Sequence, residues 1–189
     1  MKKCEWCLKD KLYEEYHDNV WGVPEFKSQK LWEKLILEIF QAGLSWMTVL
    51  RKKENFRLAF DNFSASIISD YDEKKINDLM DNPNIIRNRK KIVSIINNAK
   101  VFLQIESSIG FNNFLWKYVN HNPIDNKLPN IKMMKSYSNI SKTISDDMKK
   151  MGFVFCGPVM IYSLMQACGL VNDHIVSCHR YSIIKKLNS

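Results

Sequence analysis

The sequence predicts an all-α fold, in which residues 1–189 form a single helical domain. No segment shows the sustained alternation of apolar and polar residues that is typical of a half-buried strand, whereas several repeat apolar residues at helical spacing. A chain of 189 residues, 46% hydrophobic and 25% charged, is ordinary for a soluble globular protein and long enough to bury a sizeable core. No internal repeat is present.

In the first half of the chain, an irregular aromatic segment at 1–27 is followed by predicted helices at 28–42, 46–60, 63–71 and 72–80. Leu31 and Leu35 share one face of the first helix, and Gly43 ends it because glycine readily adopts a positive φ. Ser45 and Asp72 are residues that cap helix N-termini, so they mark the starts of the second and fourth helices.

In the second half, a turn at Asn82–Asn84 precedes the strongest helical stripe, which consists of Ile92, Ile95, Ile96, Ala99, Phe102 and Leu103. Further along, the pattern predicts a helix at 111–119, a loop at 120–136 and a helix at 141–151. Residues 151–172 carry no formal charge, but Pro158 and Gly169 bracket a helix of about eleven residues. That helix spans roughly 17 Å, too short for a hydrocarbon core of about 30 Å, so we expect a buried helix and no membrane span.

The charge balance bounds the partners of the protein. The formal charge is +8, from 28 basic and 20 acidic residues. This favours a polyanion, nucleic acid first, although a merely basic soluble enzyme has the same balance. The N-terminus, MKKCEWCLKD, turns charged before any apolar run, so no signal peptide is expected. Five cysteines, an odd number, argue against a disulfide framework and favour a reducing cytoplasm.

Glu38 is the first candidate site residue. It lies three residues after Leu35 and four before Ala42, on the apolar face of the first predicted helix. A carboxylate there must be desolvated or hold a partner, which indicates either a structural ion pair or a functional site. Leu44 follows at a tight turn and Trp46 opens the next helix, so a carboxylate, an exposed apolar tip and an aromatic ring come together.

A basic cluster begins the strongest helix and consists of Arg87, Arg89, Lys90 and Lys91. Cations at a helix N-terminus oppose the helix dipole, but they suit a bound anion. A short helix, a tight turn and a helix with a basic start predict a helix-hairpin-helix, at about 72–105, that contacts a DNA phosphate. An ordinary solvated helix start has the same pattern.

Potential metal ligands gather at the two ends of the chain, with Cys4, Cys7 and His17 near the start and His174, Cys178 and His179 near the end. Zinc in structural sites takes four nitrogen or sulfur ligands, so one half-site from each end could join the termini. Unrelated buried cysteines and surface histidines remain the alternative.

Four segments, in order along most of the chain, are YHDNVWGVP at 16–24, LILEIFQAGLSWMTVLRKKENFR at 35–57, IIRNRKKIVSIINNAK at 85–100 and FVFCGPVMIYSLMQACGLVNDH at 153–174. Together they resemble the bacterial 3-methyladenine DNA glycosylase I family, which belongs to the helix-hairpin-helix superfamily. The resemblance implies an all-α fold, a structural zinc, and monofunctional hydrolysis of the N-glycosidic bond of N3-methyladenine in alkylated double-stranded DNA. Free 3-methyladenine would be the product. A counterpart of the superfamily's catalytic Asp or Lys is missing.

The same resemblance assigns residues. The zinc site, joining segments 1–20 and 172–182, would have four ligands: Cys4, His17, His174 and Cys178. The extruded base would lie among one carboxylate, the candidate catalytic residue, and five aromatic side chains: Glu38, Tyr16, Trp46, Tyr13, Trp6 and Trp21. Leu44, with Gly43, would fill the gap left by the flipped nucleotide, and Gln41 would help to hold the opposite base.

Two other classes of function compete with a glycosylase. A non-catalytic binder of DNA structure needs the basic hairpin and the apolar tip, but no buried glutamate. A zinc-thiolate redox sensor needs exposed, reactive cysteines. Release of free base from alkylated DNA separates these classes. We expect a monomeric, cytoplasmic protein.

Overall fold

The computed structural model describes residues 1–187, and 11 α-helices lie within them. They are α1 (Lys11–Asn19), α2 (Ser28–Gln41), α3 (Trp46–Leu50), α4 (Lys53–Ala59), α5 (Ala65–Ser69), α6 (Glu73–Asp81), α7 (Arg89–Ser108), α8 (Phe111–Trp116), α9 (Asn139–Lys150), α10 (Pro158–Ala167) and α11 (His179–Leu187). Single 3-10 turns cover Glu5–Cys7, Asp61–Phe63, Lys117–Val119 and Ile131–Met133. The predicted helical fold is therefore confirmed.

One small sheet departs from the all-α prediction. Strands β1 (Ile124–Asp125) and β2 (Val171–Asn172) pair in parallel, with Ile124 opposite Val171. Strands of two residues leave no alternation for sequence analysis to detect. The pair ties the predicted loop at 120–136 to the segment that follows α10.

Helix α2 lies at the centre of the core. Its residues Leu31, Trp32, Leu35, Ile36 and Phe40 are fully buried, and α7, α8 and α10 all pack against it. Burial extends around most of the helix because neighbours cover more than one face. Two carboxylates, Glu33 and Glu38, are buried on it as well. Of these two, only Glu33 has ion-pair partners among residues 1–187, and they are Lys30, Lys53 and Arg57.

Three predicted boundaries were wrong. The segment at 1–27 was expected to be irregular but contains α1, which begins where the Asp10 carboxylate accepts a hydrogen bond from the backbone N–H of Leu12. The predicted helix at 46–60 is divided into α3 and α4 at Lys52, whose φ of −103° and ψ of 4° are not helical. Helix α9 begins two residues before the predicted start because Ser138 and Ser141 form a capping box.

The predicted buried helix is α10, with Ile161, Leu164 and Met165 in the core. No helix among residues 1–187 is long and apolar enough to cross a membrane. The C-terminal end of α10 contacts the N-terminal segment closely: a Cβ on Gly169 would lie 2.5 Å from the backbone of Val23 and Pro24. The positive φ of this glycine, +73°, turns the chain toward β2.

Candidate active site and terminal metal cluster

A cavity of about 230 Å³ opens between α1, α2, α3 and α10. It is called the aromatic pocket here and is lined by Trp6, Tyr13, Tyr16, Trp21, Glu38, Gln41, Trp46, Ile131, Met134, Ser163 and Gln166. The structure thus brings together the predicted glutamate and all five predicted aromatic residues. Ligand sites for drug-sized molecules occupy about 300–1,000 Å³, so this pocket suits a smaller planar molecule.

Glu38 is 3% exposed, and its Oε2 atom has no hydrogen-bond partner within the part of the chain that the structure describes. Burial raises the pKa of Glu38 from 4.5 to about 8, with a small opposing effect of the Lys34 ammonium. The carboxyl is therefore mostly protonated at neutral pH when the pocket holds no cation. A buried polar atom without a partner is rare in folded proteins, and it indicates a position where a ligand completes the hydrogen bonding.

The aromatic side chains pack edge to face and tilted rather than in one stack. The ring centroids of Trp6 and Trp21 are 5.0 Å apart, those of Trp6 and Tyr13 are 4.8 Å apart, and those of Tyr16 and Trp46 are 5.1 Å apart. Like Glu38 Oε2, the buried indole N–H groups of Trp6 and Trp46 have no hydrogen-bond partner in residues 1–187. The pocket therefore offers π faces for a cation and two free donors beside one carboxyl.

A wider cavity of about 460 Å³, called the outer groove here, shares Glu38, Gln41 and Ser163 with the aromatic pocket. Its other lining residues are Ala42, Gly43, Leu44, Phe155, Gly157, Pro158, Val159 and Met160. Leu44 is 44% exposed, as the turn at Gly43 predicted, and the φ of Gly43 is +81°. Gln41 lies between the two cavities.

The residues opposite Leu44 were not predicted from the sequence. Phe155, from the hairpin between α9 and α10, and Val159, in the first turn of α10, are exposed apolar side chains. Phe155 also has a φ of +56°, which is uncommon for a bulky residue. The signal was the segment GFVFCGP at 152–158, in which two glycines and a proline surround apolar residues between two helices.

The basic cluster at the start of α7 lies outside both cavities. Arg87 and Lys90 are exposed. Arg89 forms an ion pair with Glu73 and donates to Asn77 Oδ1 at 3.1 Å. For Lys91 the prediction of a DNA contact was wrong, because this lysine is 5% exposed and its ammonium is directed into the protein.

The second site is a buried group at the two termini, called the terminal cluster here: Cys4, His17, His174 and Cys178. His174 Nδ1 lies 3.8 Å from Sγ of both Cys4 and Cys178, and His17 Nε2 lies 3.5 Å from Cys178 Sγ. All four ligand atoms lie within 4.8 Å of one another. Tetrahedral zinc, with bonds of about 2.0–2.3 Å, separates its ligands by about 3.3–3.8 Å, so these residues could hold a metal ion.

Neighbouring groups prepare the cluster for a cation. His17 Nδ1 lies 2.8 Å from Asp18 Oδ1, and His174 Nε2 lies 3.2 Å from the Trp21 carbonyl oxygen. Each imidazole ring is therefore oriented by a contact of the nitrogen that faces away from the cluster. Burial lowers the pKa of His174, which favours the neutral form that binds metals. The hydrogen bond between the two thiols raises the pKa of Cys4 and lowers that of Cys178, so the pair readily forms one thiolate.

Cys7 and His179 lie outside this ligand set. The Cys7 thiol donates to the Cys4 carbonyl oxygen at 3.0 Å, and His179 contacts the Lys2 carbonyl oxygen and Asp18. All five cysteines are buried and unpaired. The redox-sensor alternative requires exposed thiols, so this geometry contradicts it.

A family model described as methyladenine glycosylase matches residues 6–181. DNA-3-methyladenine glycosylase 1 of Escherichia coli strain K12 is 44% identical over 182 residues, which cover 96% of this chain and 97% of that protein. A crystal structure of a 3-methyladenine DNA glycosylase I superposes with a TM-score of 0.92 at 43% identity, covering 94% of this chain and 98% of that one. A Tyr-to-Phe variant of such an enzyme, in complex with 3-methyladenine, gives a TM-score of 0.91 at 38% identity, covering 95% and 97%.

Proposed function

The chain belongs to the methyladenine glycosylase family, and from this premise we propose that it excises N3-methyladenine from alkylated double-stranded DNA in base excision repair. It is a monofunctional N-glycosylase, so water replaces the base on the sugar and an abasic site remains. The observation that carries the assignment of the site is Glu38, a buried carboxyl with a free oxygen inside an aromatic pocket beside an apolar tip.

The charge of the lesion accounts for this pocket. An adenine nucleotide alkylated at N3 is cationic, so its glycosidic bond is weak before the enzyme acts. When the bond breaks, its electron pair goes to the base, which leaves as neutral 3-methyladenine. The sugar cation then takes up water, which loses a proton to solvent. No general acid is needed for the leaving group, because the base departs as a neutral molecule.

Glu38 selects the lesion, because only a cationic base offsets the penalty of ionising this carboxyl. At pH 7, a pKa of about 8 instead of 4.5 makes ionisation of this carboxyl unfavourable by about 1.4 kcal/mol, at roughly 1.4 kcal/mol per pKa unit. A unit cation about 4 Å away returns about 4 kcal/mol at an effective dielectric constant near 20. Cation–π contacts with Tyr16 and Trp46 add roughly 0.5–2 kcal/mol each. A neutral adenine provides none of these terms.

The rate of bond cleavage has a different origin from the selection of the lesion by Glu38. As the bond breaks, positive charge moves from the base to the sugar, so a carboxylate that binds the base stabilises the ground state. Such an interaction does not accelerate the chemical step. The lability of the alkylated nucleotide therefore provides much of the rate, after base flipping, which itself requires a few kcal/mol.

Base flipping is assigned to the outer groove. We propose that Leu44, on the Gly43 turn, enters the duplex in place of the flipped nucleotide, and that Gln41 contacts the opposite base. Arg87 and Lys90 would contact phosphates from the turn before α7, in the predicted helix-hairpin-helix region at 72–105. Arg89 would contribute less, because Glu73 already neutralises it.

We propose Zn²⁺ as the ion of the terminal cluster. The ligand atoms of two cysteines and two histidines lie within 4.8 Å of one another, and two thiolates with two neutral imidazoles are a donor set of structural zinc sites. Four protein ligands leave no open coordination position, so the ion would supply no chemistry to the reaction. Cys4 and His17 would instead be held to His174 and Cys178, which joins segment 1–20 to segment 172–182.

The remaining proposals concern the protein as a whole. The chain would act as one domain and as a monomer in the cytoplasm, with free 3-methyladenine as its product ligand. Light scattering of the purified protein at the mass of one chain, 22.3 kDa, would support the monomer. A stable dimer would contradict it.

The Glu38→Gln variant tests the function. It keeps the shape of the side chain and removes the charge that pairs with a cationic base. We expect kcat/KM on alkylated duplex to fall by about 10²–10³-fold, the equivalent of about 3–4 kcal/mol, and discrimination against normal adenine to weaken. The single-turnover rate at saturating DNA should fall much less, because weaker ground-state binding acts mainly on kcat/KM.

Two outcomes would contradict this account. Equal losses of several orders of magnitude in both quantities would place Glu38 in the transition state, beside the sugar rather than the base. Normal kinetics for the variant would make Glu38 a structural residue. Glu33→Gln is a matched control, because Glu33 is equally buried on α2 but forms ion pairs away from the aromatic pocket.

A further inference from the structure

Helix α7 carries buried polar side chains that the proposed reaction does not use. Lys91 is 5% exposed and Asn98 is fully buried, although most of their buried neighbours on this helix are apolar. Burying an ammonium or an amide is unfavourable unless hydrogen bonds compensate for the removal of water. The partners of these two side chains therefore show what they do.

The Lys91 ammonium holds the turn that carries Leu44. Its Nζ atom donates to the carbonyl oxygens of Phe40 at 2.9 Å and of Ala42 at 2.6 Å. These carbonyls belong to the end of α2, where the helix leaves them without an internal partner, and a cation there also complements the helix dipole. The next residues along the chain are Gly43 and Leu44, which line the outer groove.

The Asn98 amide holds the hairpin on the other side of the outer groove. Its Nδ2 atom donates to the Val154 carbonyl oxygen at 3.0 Å, and its Oδ1 atom accepts from the Val154 N–H at 2.9 Å. Asn97 adds a hydrogen bond to the Gly152 carbonyl oxygen at 2.8 Å. The residue after Val154 is Phe155, which has a positive φ of +56° and lines the outer groove.

Lys91 and Asn98 are seven residues apart, which is two helical turns, so they lie along one face of α7. One rigid helix thus fixes the backbone on both sides of the outer groove. We infer that Lys91 and Asn98 are positioning residues for base extrusion, which hold the Leu44 turn and the Phe155 hairpin at the separation that a distorted duplex requires. This inference rests on the extrusion role proposed above for Leu44.

The test compares substrates that differ in the need for extrusion. The variants are Lys91→Met and Asn98→Leu, which remove the polar groups at similar volume. Single-turnover excision of 3-methyladenine is measured on a duplex and on the same alkylated strand alone, since a base outside a duplex needs little or no unpairing. Misplacement by about 1 Å can reduce a rate about 10²-fold, so we expect a loss of about 10–100-fold on the duplex. On the single strand the loss should stay within about threefold, and affinity for free 3-methyladenine should not change.

If Lys91 and Asn98 had a purely structural role, the excision rates on the duplex and on the single strand would fall by the same factor. Ile105→Ala, a core truncation at the far end of α7, serves as the destabilised control and should leave the ratio of duplex to single-strand rates unchanged. Equal losses on the two substrates, or an unchanged ratio in both variants, would overturn the inference. If Lys91→Met does not fold, Lys91→Gln retains one donor and should show a smaller loss of the same, duplex-specific kind.

Leu44→Ala separates this inference from the proposal on which it rests. A duplex-specific loss in Leu44→Ala with unchanged ratios in the α7 variants would refute the positioning role alone. A normal ratio in Leu44→Ala would refute the extrusion role of Leu44, and the positioning role for that turn with it.

Discussion

The aromatic pocket and the terminal cluster both include residues of α1, but they differ in whether their buried polar atoms have hydrogen-bond partners. Tyr13 and Tyr16 line the pocket, while His17, one residue further, joins the cluster. In the cluster each imidazole has a second partner, the Asp18 carboxylate or the Trp21 carbonyl. In the pocket, Glu38 Oε2 and two indole N–H groups have none among the described residues.

This difference indicates when each site is completed. Oriented ligands around a small buried space suit an ion that arrives during folding and stays. Unsatisfied groups in an open pocket suit a ligand that enters and leaves, and they lower stability while the pocket is empty. Disrupting the cluster should therefore affect stability first, and disrupting the pocket should affect selection and can even stabilise the protein.

The largest expected effect follows from breaking the cluster. Cys178→Ser should reduce bound zinc from about one ion per chain and destabilise the fold by about 5 kcal/mol or more, because structural zinc binding contributes directly to folding. At about 2–4 °C per kcal/mol for a chain of this size, Tm should fall by at least about 10 °C. Elemental analysis and thermal unfolding measure both quantities.

Two further results bear on the ligand assignment. Cys7→Ser is the matched control, since Cys7 is buried beside the cluster but is not one of the four ligands. It should keep its metal. Full zinc occupancy and unchanged melting in Cys178→Ser would refute the assignment of Cys178 as a ligand.

The next effect concerns the aromatic pocket, and it is a gain in stability rather than a loss. The folded protein keeps the proton of Glu38 up to a pKa of about 8, whereas the unfolded chain loses it near 4.5. Stability from the neutral carboxyl is thus complete below pH 4.5 and is lost as pH rises through about 8. Glu38→Gln stays neutral, so its stability relative to wild type should rise with pH and gain up to about 5 kcal/mol near pH 9.

Urea unfolding at pH 5 and pH 9 measures this gain. The terminal cluster also depends on pH, but it is shared by both proteins and cancels in the difference between them. A stability difference that stays constant across this range would show that Glu38 has an ordinary pKa, and its ionisation would then carry no penalty for a cationic base to offset.

The smallest effect concerns the exposed charges at the start of α7, outside both cavities. Replacing Arg87 and Lys90 with glutamine should reduce the slope of log affinity against log salt for duplex DNA by about 0.9 for each phosphate that is no longer neutralised. Lys185→Gln, on α11 at the cluster end of the chain, should leave the slope unchanged. Binding titrations from about 50 to 200 mM salt measure it. If Arg87 and Lys90 can be neutralised without any change in slope, the start of α7 does not contact DNA.

The sequence by itself determined the helical fold and much of the site, for a physical reason. Apolar spacing and capping residues act locally, so α2, α6 and α7 and the turn at Gly43 could be predicted within a few residues. Glu38 was recognisable because burying a carboxylate on an apolar face is unfavourable unless a partner or a ligand compensates for the loss of water. The ligand set Cys4, His17, His174 and Cys178 came from resemblance, since spacing alone left six candidates.

Only the tertiary structure decided how polar groups are partnered. Glu33 and Glu38 look alike along α2, yet Glu33 forms ion pairs with three cations and Glu38 lines the aromatic pocket, where its Oε2 atom has no partner among the described residues. Lys91 looked like the DNA-facing neighbour of Lys90, but a helix turns about 100° per residue, and that rotation directs it toward the end of α2. Such partners are distant in sequence, 49 residues for Lys91 and Ala42, and no local pattern encodes them.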